Sequence, residues 1–543
     1  MLNKFGQKFN LFTIISIIAG LFIIFPLFNL FMGLSQVPSE TWNHVKNYLL
    51  LNTVITTLIL ILGVSFFSLI IGLYSAYVTV HYDFYGKKLL SWMLILPLAI
   101  PSYIAAYIYA DMVSYTGTFF RLMEFINLPL SVNIMSLPGA IFIFSFTLYP
   151  YTYMLARSAL KKQSVKYSES ARLLGYGPIN IFRKVTLPLL RPALVAGSFL
   201  VILETLNDYG VVAYFNVRVF SFAIFNAWFN LGDLDSAIRL SSLLLLLVFS
   251  IIIIERSIRG KKDYQILANT LTHKSMPLKG IKSIIYPMIL WLILGFGFII
   301  PFGQLIYYLV ISFNRAFRSD LIYIILNTIS ITLFASFLVV VIALCLANFY
   351  RFRSTKFNQV WVKITNLGYA IPGAVIAISV NLFFIKTDRF LVPLYRFFNS
   401  ESRTLVLSLS LFMLIFAYIL RFMAIGYNSI ENSYEKIGKK YTESAYLLGH
   451  GKLSTLIKID VPLLKHGLIA AYIIVFIDVI KELPLTLILR PANYDTLATL
   501  VYEYASDERL QESSLAALLL ILISAALIYL LTHPRKKEVK EDA

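Results

Sequence analysis

The chain has 543 residues, 59% of them hydrophobic and 14% charged, with a mean hydropathy of +0.77. Soluble domains carry about 25% charged residues, so this composition excludes a water-soluble globular protein and the usual count of one domain per ~150 residues. The net charge of +19 sits in basic stretches between apolar runs, where the positive-inside rule accounts for it without a nucleic-acid partner.

A spanning helix needs about 20 mostly apolar residues. The first such run, 11–33, follows Lys4 and Lys8. Its length, and the lack of a small-residue cleavage site in Gly33-Leu34-Ser35-Gln36, predict a retained signal-anchor helix. Five more spans are predicted at 52–80, 89–111, 136–158, 190–212 and 237–256. A basic connector at 261–282 separates them from six others at 283–312, 324–349, 362–386, 404–427, 465–489 and 514–532. Cys345, the sole cysteine, lies in the apolar run Val339–Ala347; it excludes an intramolecular disulfide and a cysteine-based zinc cluster and reads as a small hydrophobe. The expected fold is an all-α polytopic membrane protein with twelve transmembrane helices. They form two six-span repeats, 1–260 and 283–543.

The repeats are visible in the residues. Leu51-Asn52-Thr53-Val54-Ile55-Thr56-Thr57-Leu58 is answered 275 positions later by Leu326-Asn327-Thr328-Ile329-Ser330-Ile331-Thr332-Leu333, and Ile100-Pro101 by Ile371-Pro372. With six spans each, both repeats enter the membrane in the same direction, so they are parallel repeats. The segment 157–191 holds eight Lys and Arg against the single acid Glu169, and 431–466 holds six lysines. The connector and the tail after Pro534 are basic too, whereas 491–512 is acidic. Basic loops stay in the cytoplasm, so both termini are expected inside.

The clearest repeat lies in the large basic loops, 160–192 and 432–466. The first reads Tyr167-Ser168-Glu169-Ser170-Ala171-Arg172-Leu173-Leu174-Gly175-Tyr176-Gly177, and then Val185-Thr186-Leu187-Pro188. At an offset of 274 the second reads Tyr441-Thr442-Glu443-Ser444-Ala445-Tyr446-Leu447-Leu448-Gly449-His450-Gly451, and then Ile459-Asp460-Val461-Pro462. Ser168 or Thr442 can cap a short helix with the acid in its first turn. Ser170, Ala171, Ser444 and Ala445 are small enough for another surface to approach. Gly175 and Gly449 suit a left-handed helix end, and Pro188 and Pro462 suit the opening turn of the next span. Packing on the chain's own protein is the alternative for these loops, and His450 reads as part of the same surface.

This spacing resembles the EAA loop of binding-protein-dependent ABC importer permeases, with Ser170 and Ser444 in place of the first alanine, Val185 of the isoleucine and Val461 of the leucine. The resemblance implies a MetI-like fold of the type I importers, located in a bacterial inner membrane. It also implies that Glu169, Ser170, Ala171, Gly175 and Pro188, with Glu443, Ser444, Ala445, Gly449 and Pro462, couple the chain to an ATPase subunit. None of the Gly-Lys pairs, at 86–87, 260–261, 438–439 and 451–452, is followed by Ser or Thr, so no phosphate-cradling loop is seen. ATP and magnesium are therefore expected on a separate polypeptide, in two copies for two loops, and the chain itself is not expected to be an enzyme or to bind a cofactor.

The span after each loop carries acids: Glu204 and Asp208 in the first half, Asp478 and Glu482 in the second, with Lys481 beside them. Ionisable groups in a span face the bundle interior, pair, or line an aqueous path. Two readings stand: a pathway for a cationic solute, or pairing with Lys481 and capping of broken helix ends. Lys481-Glu482-Leu483-Pro484-Leu485-Thr486, Leu489-Arg490-Pro491, Tyr494 to Thr499, Tyr502 to Glu508, Glu204 to Gly210, and Ala227-Trp228-Phe229 resemble ferric-iron permeases over essentially the whole length. That resemblance implies Fe3+ as cargo, handed over by an extracytoplasmic iron-binding protein; carboxylate and phenolate oxygens suit so hard an ion. Thiamine, polyamine, sulfate and phosphonate permeases share related plans. The acidic stretch 495–512 reads as a solvated loop or a metal site, and a resident metal site stays unknown. A secondary transporter is the rival class, but it has no reason to repeat Glu-x-Ala-x3-Gly-x12-Pro twice.

Overall fold

The computed structural model describes residues 11–35, 37–127, 132–163, 165–259, 275–317, 319–352, 356–398, 405–408 and 410–532. Lys4, Lys8, connector residues 261–274 and the basic tail lie outside them. Among the described residues, ten helices are long and apolar enough to cross a membrane. Two bent helix pairs raise the number to twelve when each pair counts as one span.

The continuous spans of the first half are Ile14–Gly33, Glu40–His81, Leu137–Lys162, Pro178–Asn207 and Leu234–Ile258 (first, second, fourth, fifth and sixth). Those of the second half are Lys282–Ile311, Leu321–Arg351, Leu411–Ile437, Lys452–Ile480 and Ser514–Thr532 (seventh, eighth, tenth, eleventh and twelfth). The third and ninth are the bent ones. Lys87–Ala99 turns by 90° into Ser102–Phe125, and Val360–Ala370 turns by 112° into Gly373–Phe398. The cause is local. A proline disfavours helical geometry in the residue before it, and Ile100 (φ −91°, ψ 116°) and Ile371 (φ −87°, ψ 124°) are accordingly extended.

The fifth and eleventh spans correct the boundaries expected at 190–212 and 465–489. They begin at Pro178 and Lys452 and stop at Asn207 and Ile480. Apolarity underestimates their starts because the basic residues Arg183, Lys184, Lys452 and Lys458 are already helical. Pro188 and Pro462 therefore do not open these spans. Each follows a π turn, Phe182–Thr186 and Leu456–Asp460, in which the N–H of Leu187 or Val461 reaches back five residues. That wide turn resets the hydrogen-bond register just before the residue that has no N–H to give.

The repeats interleave in space. One core gathers the second to fifth spans with the seventh and twelfth; the other gathers the eighth to eleventh with the first and sixth. Trp361 Nε1 donates to Ser16 O (3.0 Å) and Lys386 Nζ to Asn29 Oδ1 (2.8 Å), fixing the first span on the ninth. Reciprocally, Tyr109 OH donates to Phe296 O (2.6 Å), fixing the seventh span on the third. Apolar lipid gives helices little reason to associate, so close contact at small residues does that work. A Cβ at Gly72 or at Gly197 would meet Thr152 of the fourth span at 2.8 Å. Cys345 is buried in the second core. A two-residue parallel bridge, Tyr82 with Met276 and Asp83 with Pro277, ties the end of the connector to the first half.

Candidate functional site

All five acidic and basic residues singled out in the spans line one cavity of about 100 Å³, between the bend of the third span and the ends of the fifth and eleventh, with the bend of the ninth bonded to it through Tyr369 and Gly373. Glu204 and Asp208 come from the first half; Asp478, Lys481 and Glu482 come from the second. Asp208 Oδ1 accepts from the Val211 N–H (2.8 Å) at the head of the short helix Gly210–Tyr214. At the same offset of 274, Glu482 Oε1 accepts from the Leu485 N–H (3.1 Å) at the head of Pro484–Leu489. The broken-end reading thus describes these two carboxylates, yet both still face the cavity.

The other members differ. Glu204 Oε1 accepts a 2.6 Å hydrogen bond from the Tyr369 hydroxyl. Asp478 lies 4.0 Å from Lys481, whose ammonium donates to Leu98 O (3.0 Å) at the bend of the third span. Two further lining residues, Arg421 and Asn207, with Gly373 bonded behind them, were missed by sequence reasoning. Arg421, buried on the tenth span, lies 3.4 Å from Glu482 and donates to Asn207 Oδ1. Asn207 also accepts from the Gly373 N–H (2.7 Å). A Cβ at Gly373 would collide with the Arg421 guanidinium and meet the Asn207 and Glu482 side-chain oxygens at 3.0 Å, so any larger residue would push this polar cluster apart. A lone arginine amid the apolar residues of Leu411–Gly426 was the available signal, since buried charges in spans are paired. Four carboxylates against two cations give the chamber a formal charge of −2.

The basic loops fold alike, with helices at Val165–Leu173 and Lys440–Leu447. Both end in the same left-handed turn. Tyr176 N bonds Ala171 O and Gly175 N bonds Arg172 O in one; His450 N bonds Ala445 O and Gly449 N bonds Tyr446 O in the other. Gly175 and Gly449 have φ of +82° and +83°, which favours glycine. Ser168 and Thr442 fall inside these helices and are not caps. Thr442 is instead buried, accepting from Arg351 (2.9 Å) and donating to Asp460 Oδ1 (3.0 Å). Burial, reinforced by the Asp460 carboxylate, pushes the Tyr446 phenol up to about 12.

Ala171 and Ala445 are buried within the chain, while Glu169, Ser170, Glu443 and Ser444 are exposed. His450 bonds Ser454 (3.3 Å). The most exposed apolar groups of these two loops are residues the sequence reading left unremarked. Leu173 and Leu447 are each 89% exposed, and Leu174 and Leu448 stand beside them. The paired leucines before each glycine were their signal. In the acidic stretch 491–512, Asp495 and Glu503 both pair with Arg490, and Glu512 pairs with Arg509. Among the described residues, no group of three or more His, Cys, Asp or Glu could hold a metal ion.

The comparisons agree with this architecture. Residues 68–261 and again 339–533 match the family described as the binding-protein-dependent transport system inner membrane component. The chain is 25% identical to the Fe(3+)-transport system permease protein FbpB 2 of Haemophilus influenzae, over 88% of each chain. It is 29% identical to the sulfate transport system permease protein CysT of Salmonella typhimurium, over 36% of this chain and 69% of that one. Against the molybdenum transport system permease protein ModB of Escherichia coli it is 30% identical, over 27% of this chain and 64% of that one. With two family domains in one polypeptide and residues of both halves meeting at a shared polar chamber, the chain belongs to the binding-protein-dependent transport family as a fused, multi-pass membrane permease of an ABC importer.

Proposed function

We propose that this permease carries ferric iron from an extracytoplasmic binding protein into the cytoplasm, driven by two copies of an ATPase subunit. The observation that carries the cargo is the extent of the match. The iron permease aligns along 88% of both chains, while the sulfate and molybdenum permeases align with about a third of this one. The chamber supports it with oxygen donors, Glu204, Asp208, Asp478, Glu482 and the phenols of Tyr103 and Tyr151, and with an excess of negative charge. No resident metal is required, because a transient path needs only weak, successive contacts.

The two loop helices, with their exposed leucines, are the docking elements in this reading, one ATPase copy on each. Glu169, Ser170, Gly175, Glu443, Ser444 and Gly449 shape the docking turns, while Ala171, Ala445, Pro188 and Pro462 hold the turns and the π-bent helices behind them. Basic loops then face the cytoplasm with both termini, and the bundle's opposite end receives the binding protein.

An oxyanion cargo is the second reading. Arg421 and Lys481 in the chamber favour it, as do the sulfate and molybdenum relatives. Reconstitution with the ATPase in liposomes separates the two. ATP turnover should rise with an iron-loaded binding protein and not with its empty form. Stimulation by a sulfate- or molybdate-loaded binding protein, with none by the iron-loaded one, overturns the iron assignment.

A further inference from the structure

A second cavity, of about 630 Å³, lies beside the chamber toward the basic-loop end of the bundle. Leu200, Glu255, Tyr350, Asn366, Tyr427 and Glu431 are among the residues lining it. The two cavities share their walls. The fifth span gives Leu200 to one and Glu204 to the other, and the tenth gives Tyr427 to one and Arg421 to the other, one to two turns apart. What lies between them is the turn Asn366–Ala370 at the bend of the ninth span. Asn366, Leu367 and Ala370 of that turn face the larger cavity. Tyr369, in the same turn, reaches the other way and donates its hydroxyl to Glu204 in the chamber.

We propose that Tyr369 is the inner gate of the permease: its hydrogen bond to Glu204 closes the chamber from the larger cavity, which is the exit vestibule. Release of that bond, together with the Tyr369 contact to Tyr151 and the neighbouring Gly373–Asn207 bond, frees the turn to swing and joins the two spaces. The geometry makes the gate one-sided. Ile100-Pro101 and Ile371-Pro372 are related by 271 positions, so the counterpart of Tyr369 is Leu98. Leu98 has no hydroxyl and offers only its backbone carbonyl, to Lys481. A hydroxyl bonded to a carboxylate is a strong, directional contact that a change of helix position breaks at once. The vestibule places Glu255 and Glu431 beyond the gate, with Arg256 and Lys363 on its rim. The inference uses the family's transport activity and does not depend on the iron assignment.

Thiol labelling tests it in the complex with the ATPase, without nucleotide. Cys345→Ala removes the sole native cysteine. Leu200→Cys then reports on the vestibule and Ser102→Cys on the chamber. A membrane-impermeant maleimide applied from the basic-loop side should label the first and spare the second. Adding Tyr369→Phe, which deletes one oxygen, should raise chamber labelling at least about tenfold while vestibule labelling stays constant. Glu204→Gln, which keeps an acceptor, should leave the chamber closed; Glu204→Ala should open it. An unlabelled vestibule, or chamber labelling indifferent to Tyr369→Phe and Glu204→Ala, overturns the gate. Iron uptake by the wild type is measured separately, so failure of the cargo reading is distinguishable from failure of the gate.

Discussion

At the scale of residues, Asp208 and Glu482 combine two roles that substitution can separate. Asparagine caps helices as well as aspartate does, whereas alanine does not. Asp208→Ala should therefore cost about 1 kcal/mol of stability, and Asp208→Asn almost none, as read by thermal unfolding in detergent. The double variant Asp208→Asn with Glu482→Gln should abolish uptake while the ATPase still co-purifies. Unchanged uptake would remove these carboxylates from the pathway. Glu482→Gln alone leaves the buried Arg421 guanidinium without its counter-charge. Breaking such a pair costs roughly 3–5 kcal/mol, and replacing both partners by neutral groups costs far less. Adding Arg421→Met to Glu482→Gln should therefore restore most of the lost stability. These residues were legible as charges in spans. Arg421 was legible as a charge too, but its partners and the contact of Tyr369 were not, because each depends on a residue brought from another span.

At the scale of elements, the loop helices and the bent spans show what a motif contains. Spacing alone placed the left-handed glycines, and both copies have the expected turn. It could not separate the alanines, which face inward, from the leucines, which face out. Leu173→Ser with Leu174→Ser, or Leu447→Ser with Leu448→Ser, should each cut ATPase co-purification several-fold without lowering the unfolding temperature. Loss of stability with co-purification intact would assign those leucines to packing. The prolines teach a related lesson. Pro101 and Pro372 follow extended residues, Ile100 and Ile371, where their spans bend. Pro188 and Pro462 sit in continuous helices, each just after a π turn.

At the scale of the whole molecule, each core borrows two spans from the other half. Residues 1–260 expressed alone should then lack the seventh and twelfth spans that cover their core, and should aggregate or be degraded. Co-expressed with 275–543, they should assemble into one complex on size-exclusion chromatography and recover transport. A first half that is stable and monodisperse alone would contradict the interleaving seen here.

The membrane class, the parallel repeat, the family and five of the charged residues later found at the chamber could be read from the chain alone. Each of these is written in hydropathy, in charge, or in fixed spacing along the chain. Which spans bend, which half each outer span packs on, and how the chamber is closed emerge only once the chain is folded. Those features depend on contacts between residues hundreds of positions apart, such as Tyr369 with Glu204 and Arg421 with Asn207, and no local pattern in the sequence records such a contact.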